Sequence, residues 1–173
     1  LFMDAAAQGE KEKAFHTAAD LNDKSGGNGS AVTVAAKSEP PDLSGVRVLL
    51  VDDDRDSRDV LCLMLERYGA DVRGADSAAS ALKTFAVWKP DVLISDIGMP
   101  GEDGFDLIAK VRALAPEQGG GVPAAALTAY VREEDRQKAL ATGFHAHISK
   151  PVEPAALAAA VAGLVKQQKT AKN

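Results

Sequence analysis

Cysteine is almost missing from this chain, with Cys62 alone among 173 residues. A disulfide framework needs a pair and a thiolate zinc site needs several, so both are excluded within the chain. Long apolar runs are missing too. The longest, Ala155 to Val165, has 11 residues, mostly alanine. A bilayer-spanning helix needs roughly 20, so no membrane insertion is expected. An excess of basic charge is also lacking, with 20 Lys and Arg against 25 Asp and Glu. A nucleic-acid surface built on bulk charge is therefore not expected. No signal-peptide pattern opens the chain. It begins with Leu1 rather than Met, as a fragment or processed piece would, and a reducing, cytoplasmic setting fits best.

What is present falls into parts. Residues 1–44 are expected to form a flexible N-terminal linker segment. "DAAAQGEKEKAFHTAADLNDK" is polar and Ala-rich with at most a marginal helix. "SGGNGS" is a flexible breaker and "KSEPPD" an extended linker. Residues 45–168 are expected to form one domain, with 169–173 as a C-terminal tail.

Within the domain, apolar runs alternate with helical periodicity. Val46 to Val51 reads as a strand ending in Asp52, Asp53 and Asp54. Val60, Leu61, Met64, Leu65 and Tyr68 recur at helical spacing, and Gly69 stops that helix. Asp54 and Asp56 are expected as its capping residues. Asp71 to Ala75 is a short strand, and Ser77 caps a helix that ends at Trp88 before Lys89-Pro90. Val92 to Ser95 is a strand buried on both faces, followed by Asp96 and a loop broken by Pro100, Gly101 and Gly104. Leu107, Ile108, Val111 and Leu114 mark the next helix. Ala124 to Thr128 is a strand of small residues, and Arg132 to Ala141 a charged helix with Leu140 as its only large apolar anchor. Ala146 to Ser149 is the last strand. Glu153 to Val165 is the last helix, burying Leu157, Val161, Leu164 and Val165, with Pro154 in its first turn. Five such units imply an α/β fold: a five-stranded parallel sheet with helices on both faces.

In such sheets ligands bind beyond the carboxyl ends of the strands. Those ends carry Asp52, Asp53 and Asp54, then Asp96, Thr128 and Lys150. Carboxylates that converge repel one another unless a cation sits among them, and all-oxygen ligands suit a hard ion such as Mg²⁺. A carboxylate nucleophile, a metal, a hydroxyl and a lysine are the parts needed to form an aspartyl-phosphate.

The stretches "VRVLLVDDD", "PDVLISDIGMPGEDGFDLI", "ALTAY" and "GFHAHISKPVEP" resemble the receiver domain of two-component response regulators, in unbroken order from about residue 45 to 168. The resemblance implies a flavodoxin-like (βα)5 fold with strand order 2-1-3-4-5. It makes Asp96 the phosphoacceptor, with a histidine kinase or a histidine phosphotransfer domain as donor and a downstream protein as target. It makes Asp53 a direct Mg²⁺ ligand, has Asp52 act on the metal largely through water, and adds the backbone carbonyl of Gly98. Thr128 and Lys150 would contact the phosphoryl group, and Lys150-Pro151 would be a cis peptide. Conformational switching would fall on the face made by the fourth helix, fifth strand and fifth helix. One departure stands out: where most receivers carry Tyr or Phe three residues before the lysine, this chain has His147, expected as the switch residue with Thr128. His145 and His147 are expected on one strand face, as ordinary strand histidines rather than metal ligands.

Two placements of the receiver are open, a single-domain regulator and the terminal receiver of a hybrid sensor histidine kinase. "GNGSAVTV" resembles the last glycine-rich turn of a kinase ATP-binding domain, and the "EPPDLSGVRVLLVDDD" junction resembles the linker before hybrid receivers, so the hybrid is favoured. The chain itself is read as a phosphoacceptor rather than an enzyme. The enzyme alternative is a Mg²⁺-dependent phosphatase of the haloacid dehalogenase type, whose Asp-x-Asp spacing Asp52 and Asp54 satisfy. A flavin site on the same topology is disfavoured, because three aspartates after the first strand would repel a phosphate.

Overall fold

The aliphatic runs form strands, and all five lie parallel in one sheet. β1 (Arg47–Val51), β2 (Asp71–Ala75), β3 (Val92–Asp96), β4 (Ala124–Thr128) and β5 (Ala146–Ser149) stand in the order β2-β1-β3-β4-β5. The helices are α1 (Arg55–Glu66), α2 (Ala78–Trp88), α3 (Gly104–Arg112), α4 (Glu133–Thr142) and α5 (Pro154–Ala171). This computed structural model describes residues 40–129 and 133–171. The features expected within residues 1–39, together with Tyr130 and Arg132, lie outside the described residues.

Strand alternation divides the core in two. Leu49, Val51 and Leu93 join Phe85 of α2 and Leu107, Ile108 and Val111 of α3 on one face. Val48, Leu50, Val92 and Ile94 join Leu61 and Leu65 of α1 and Leu157, Val161 and Leu164 of α5 on the other. Each fully buried aliphatic side chain contributes about 1.5–3 kcal/mol. The two layers therefore fix the central strands from both sides, and with them the residues at their tips.

Several boundaries differ from expectation. The packed chain begins before residue 45: Leu43 is only 1% exposed and its N–H donates to the Tyr68 carbonyl at 2.8 Å. The expected linker therefore ends earlier, because Leu43 has the core of the α1 face to fill. At the other end α5 continues through Ala171, so the expected tail at 169–173 is helical for its first three residues. Lys, Gln and Ala are all good helix formers, and nothing in "KQQKTA" breaks the chain. α3 ends at Arg112, and Leu114 packs from beyond the helix. Val60 is exposed, leaving Leu61 and Leu65 as the buried residues of α1. In α4 the anchor is Ala139, 1% exposed, whereas Leu140 is 42% exposed. A helix so charged carries no phase signal, so its single leucine misled.

Candidate functional site

The site grows from the strand tips. Asp52 continues the β1 ladder, its N–H donating to the Ala75 carbonyl at 3.1 Å. That keeps its side chain on the inward face, where it is 0% exposed. Asp53, one residue on, lies in the bend after β1 and is exposed. Asp96 ends β3, and β1 and β3 are hydrogen-bonded neighbours, with Val51 opposite Ser95. Lys150 follows β5, and its N–H donates to the Thr128 carbonyl at 2.8 Å, tying it to the end of β4. The Lys150-Pro151 peptide is cis.

These elements bring Asp52, Asp53, Asp96 and Lys150 together. One oxygen from each carboxylate lies within 4.8 Å of the other two, and among the described residues this is the one cluster suited to a metal. The Lys150 ammonium donates to Asp52 Oδ2 at 2.8 Å and to Asp96 Oδ2 at 2.5 Å. Burial by itself would lower the Lys150 pKa. The hydrogen bonds and charges of Asp52 and Asp96 outweigh it, so the ammonium is held above its ordinary range. Asp96 Oδ1 accepts the Gly98 N–H at 2.8 Å. Three carboxylates thus face one ammonium. The unbalanced negative charge and the all-oxygen donor set fit a hard divalent cation.

Thr128 is buried at the end of β4. His147 is half-buried on β5, paired in register with Ala126. His145 falls outside β5, just before Ala146. Its Nδ1 accepts the Ala124 N–H at 3.2 Å and lies 3.3 Å from Arg112. His145 thus sits at the amino end of the sheet, one residue before β5, rather than within the strand that carries His147. Asp54 caps α1 by accepting the Ser57 N–H at 2.7 Å. Asp56 lies within the first turn instead, where a carboxylate favours the helix dipole.

Two residues of this region escaped the sequence reading. Ser57 and Arg58, at the start of α1, both donate to Asp52. Gly104, expected only as a loop breaker, opens α3 so close to β3 that a Cβ would fall 2.3 Å from the Asp96 carbonyl.

The comparisons with known proteins fall on the same residues. Residues 48–162 match the response regulator receiver domain. The chain belongs to that family. It is 50% identical over 112 residues to the uncharacterized 14.6 kDa protein of the sodA1 3' region in Leptolyngbya boryana, covering 65% of this chain and 84% of that one. It is 32% identical over 137 residues to hybrid signal transduction histidine kinase D of Dictyostelium discoideum, covering 76% of this chain but only 9% of the kinase. The fold matches the crystal structure of a putative response regulator from Chloroflexus aurantiacus, with a TM-score of 0.66 and 31% identity over 70% of this chain and 98% of that one. The chain is a two-component signalling receiver, and no described helix is long and apolar enough to cross a membrane. Receiver domains bind Mg²⁺ at an acidic pocket, and Asp52, Asp53 and Asp96 form such a cluster here.

Proposed function

We propose that Asp96 is the phosphoacceptor, taking a phosphoryl group from a phosphohistidine of a histidine kinase or histidine phosphotransfer domain. The observation that carries this is the Lys150 ammonium bridging Asp52 and Asp96 at 2.8 and 2.5 Å. An Asp96 carboxylate oxygen attacks phosphorus, the P–N bond breaks, and its electron pair leaves on the imidazole. Lys150 then turns to the new phosphoryl oxygens, and the Thr128 hydroxyl donates to another. Asp52, Asp53, Asp96 and the Gly98 carbonyl would hold Mg²⁺, which supplies positive charge against the phosphoryl oxygens. Thr128 moving towards the phosphoryl group vacates space that His147 on the neighbouring strand enters, which carries the switch to the α4-β5-α5 face.

The haloacid dehalogenase reading has less support. It needs the Asp54 carboxylate in the reaction, and that carboxylate is engaged in capping α1. The chain acts as a signalling phosphoacceptor, in a cytoplasmic setting where its donor has ATP. Its parent is either a hybrid kinase, favoured by the Dictyostelium likeness, or a stand-alone regulator, favoured by the 14.6 kDa relative. The coding sequence upstream of Leu1 decides between them.

The experiment is incubation with acetyl phosphate and Mg²⁺. Wild-type protein is expected to gain one hydroxylamine-labile phosphoryl group, and Asp96→Asn none. Equal labelling of the variant would defeat the assignment.

A further inference from the structure

The Asp52 carboxylate is wholly buried, so its oxygens must find donors within the protein. Oδ1 accepts the Asp54 N–H at 3.0 Å. Oδ2 accepts both the Lys150 ammonium at 2.8 Å and the Ser57 hydroxyl at 2.7 Å. The carbonyl oxygen of the same residue accepts from Arg58 Nη1 at 2.8 Å. Arg58 reaches it across β2, at the point where Gly74 has no side chain. A Cβ there would stand 3.0 Å from Arg58 Cδ.

The two side-chain donors on Oδ2 differ in kind. Lys150 is shared with Asp96, and phosphoryl oxygens on Asp96 would compete for it. Ser57 is bonded to Asp52 and to neither of the other site carboxylates. It sits in the first turn of α1, whose entry is fixed by the Asp54 cap. When Lys150 turns away, Ser57 and the Asp54 N–H still hold one oxygen each, so the carboxylate plane cannot rotate.

We infer that Ser57 is a positioning residue, keeping the Asp52 carboxylate in the orientation that binds a divalent cation whatever Lys150 is doing. The inference rests on the phosphoacceptor reading and adds a residue to it. Removing a donor that orients a metal-binding carboxylate costs about 10–100-fold in metal affinity.

The test is calorimetric titration of Mg²⁺ into the 173-residue chain, as wild type, Ser57→Ala and Ser57→Thr. Ser57→Ala is expected to raise the Mg²⁺ Kd about tenfold. Its thermal midpoint without Mg²⁺ should fall only slightly, because Lys150 still donates to the same oxygen. Ser57→Thr restores the hydroxyl and should recover the wild-type Kd. Equal Kd values in wild type and Ser57→Ala would overturn the inference and leave the phosphoacceptor reading standing. So would a Thr variant as weak as the Ala variant. A wild type that binds no Mg²⁺ at all would overturn both.

Discussion

The two ends of this sheet carry ionisable side chains in opposite condition. At the carboxyl end, Asp52, Asp53 and Asp96 cluster together, and among the described residues Lys150 is the cation that pairs with their carboxylates. At the amino end, Arg112 of α3 meets no carboxylate among the described residues. Its Nε and Nη2 donate to the Gly143 carbonyl at 2.9 and 2.8 Å, and its Nη1 to the Gly120 carbonyl at 2.8 Å. Burial lowers the Arg112 pKa, and burial followed by the Arg112 charge lowers that of His145. Arg47 is paired nearby with Asp91 and the Trp88 carbonyl. The same residue types therefore do different work. Where backbone carbonyls satisfy the cations, loops are pinned to the sheet. Where carboxylates outnumber the cation, the end of the sheet is open to a metal ion and a phosphoryl group.

Paired substitutions break the comparison most sharply. Lys150→Met should cut phosphoryl uptake from acetyl phosphate by about 10²-fold or more, as loss of a donor aimed at developing charge does. It also leaves three carboxylates facing one another, so its thermal midpoint should fall without Mg²⁺ and recover when Mg²⁺ is added. Arg112→Ala should do the reverse. Orphaned carbonyls at Gly143 and Gly120 should cost about 2 kcal/mol in denaturant unfolding, with uptake at Asp96 near the wild-type rate. If Arg112→Ala abolished uptake while leaving stability intact, the division between the two ends would be wrong.

A smaller effect sharpens the comparison through pH. His145 is held neutral in the fold, with Nδ1 accepting the Ala124 N–H and facing Arg112. The cavity of about 530 Å³ that it lines also presents Arg47, Lys89, Asp91 and Glu117. Because its pKa is depressed, the unfolded chain binds the proton first as pH falls. Its contribution to stability is complete above the ordinary histidine value near 6.5 and is lost below it. Lys150 works with the opposite sign, its contribution complete below the ordinary lysine value and lost at higher pH as its raised pKa is passed. Unfolding free energies measured between about pH 5 and pH 8 should therefore decline on the acid side in wild type. The decline should be shallower in His145→Gln, and identical slopes would remove His145 from the account.

The carboxyl end was legible in the sequence because each apolar strand run stops at a chemically distinct residue. Val48 to Val51 run into Asp52, and Val92 to Ile94 run towards Asp96, so strand and site announce each other. The amino end was not legible. Arg112 and Gly143 are 31 residues apart, and no local pattern marks an arginine that donates to distant backbone carbonyls. Ser57 looked like an ordinary residue of a helix start, since its partner Asp52 is reached only after the chain turns from strand into helix. The α4 anchor was misread for another reason. With polar residues on every side, Ala139 and Leu140 could be told apart only by the packing of α4 against the α3 face, where Ala139 joins Val111 and Phe144 in the core.

The central claim is that Asp96 alone among the clustered carboxylates receives the phosphoryl group. Borohydride tests it most directly, because it reduces an acyl phosphate to the alcohol with release of phosphate. A phosphorylated aspartate is thereby converted to homoserine, which is located by peptide mass spectrometry. After treatment with acetyl phosphate and Mg²⁺, the account predicts homoserine at position 96 and unchanged aspartate at 52, 53 and 54. Homoserine at any of those three positions, with position 96 intact, would contradict it.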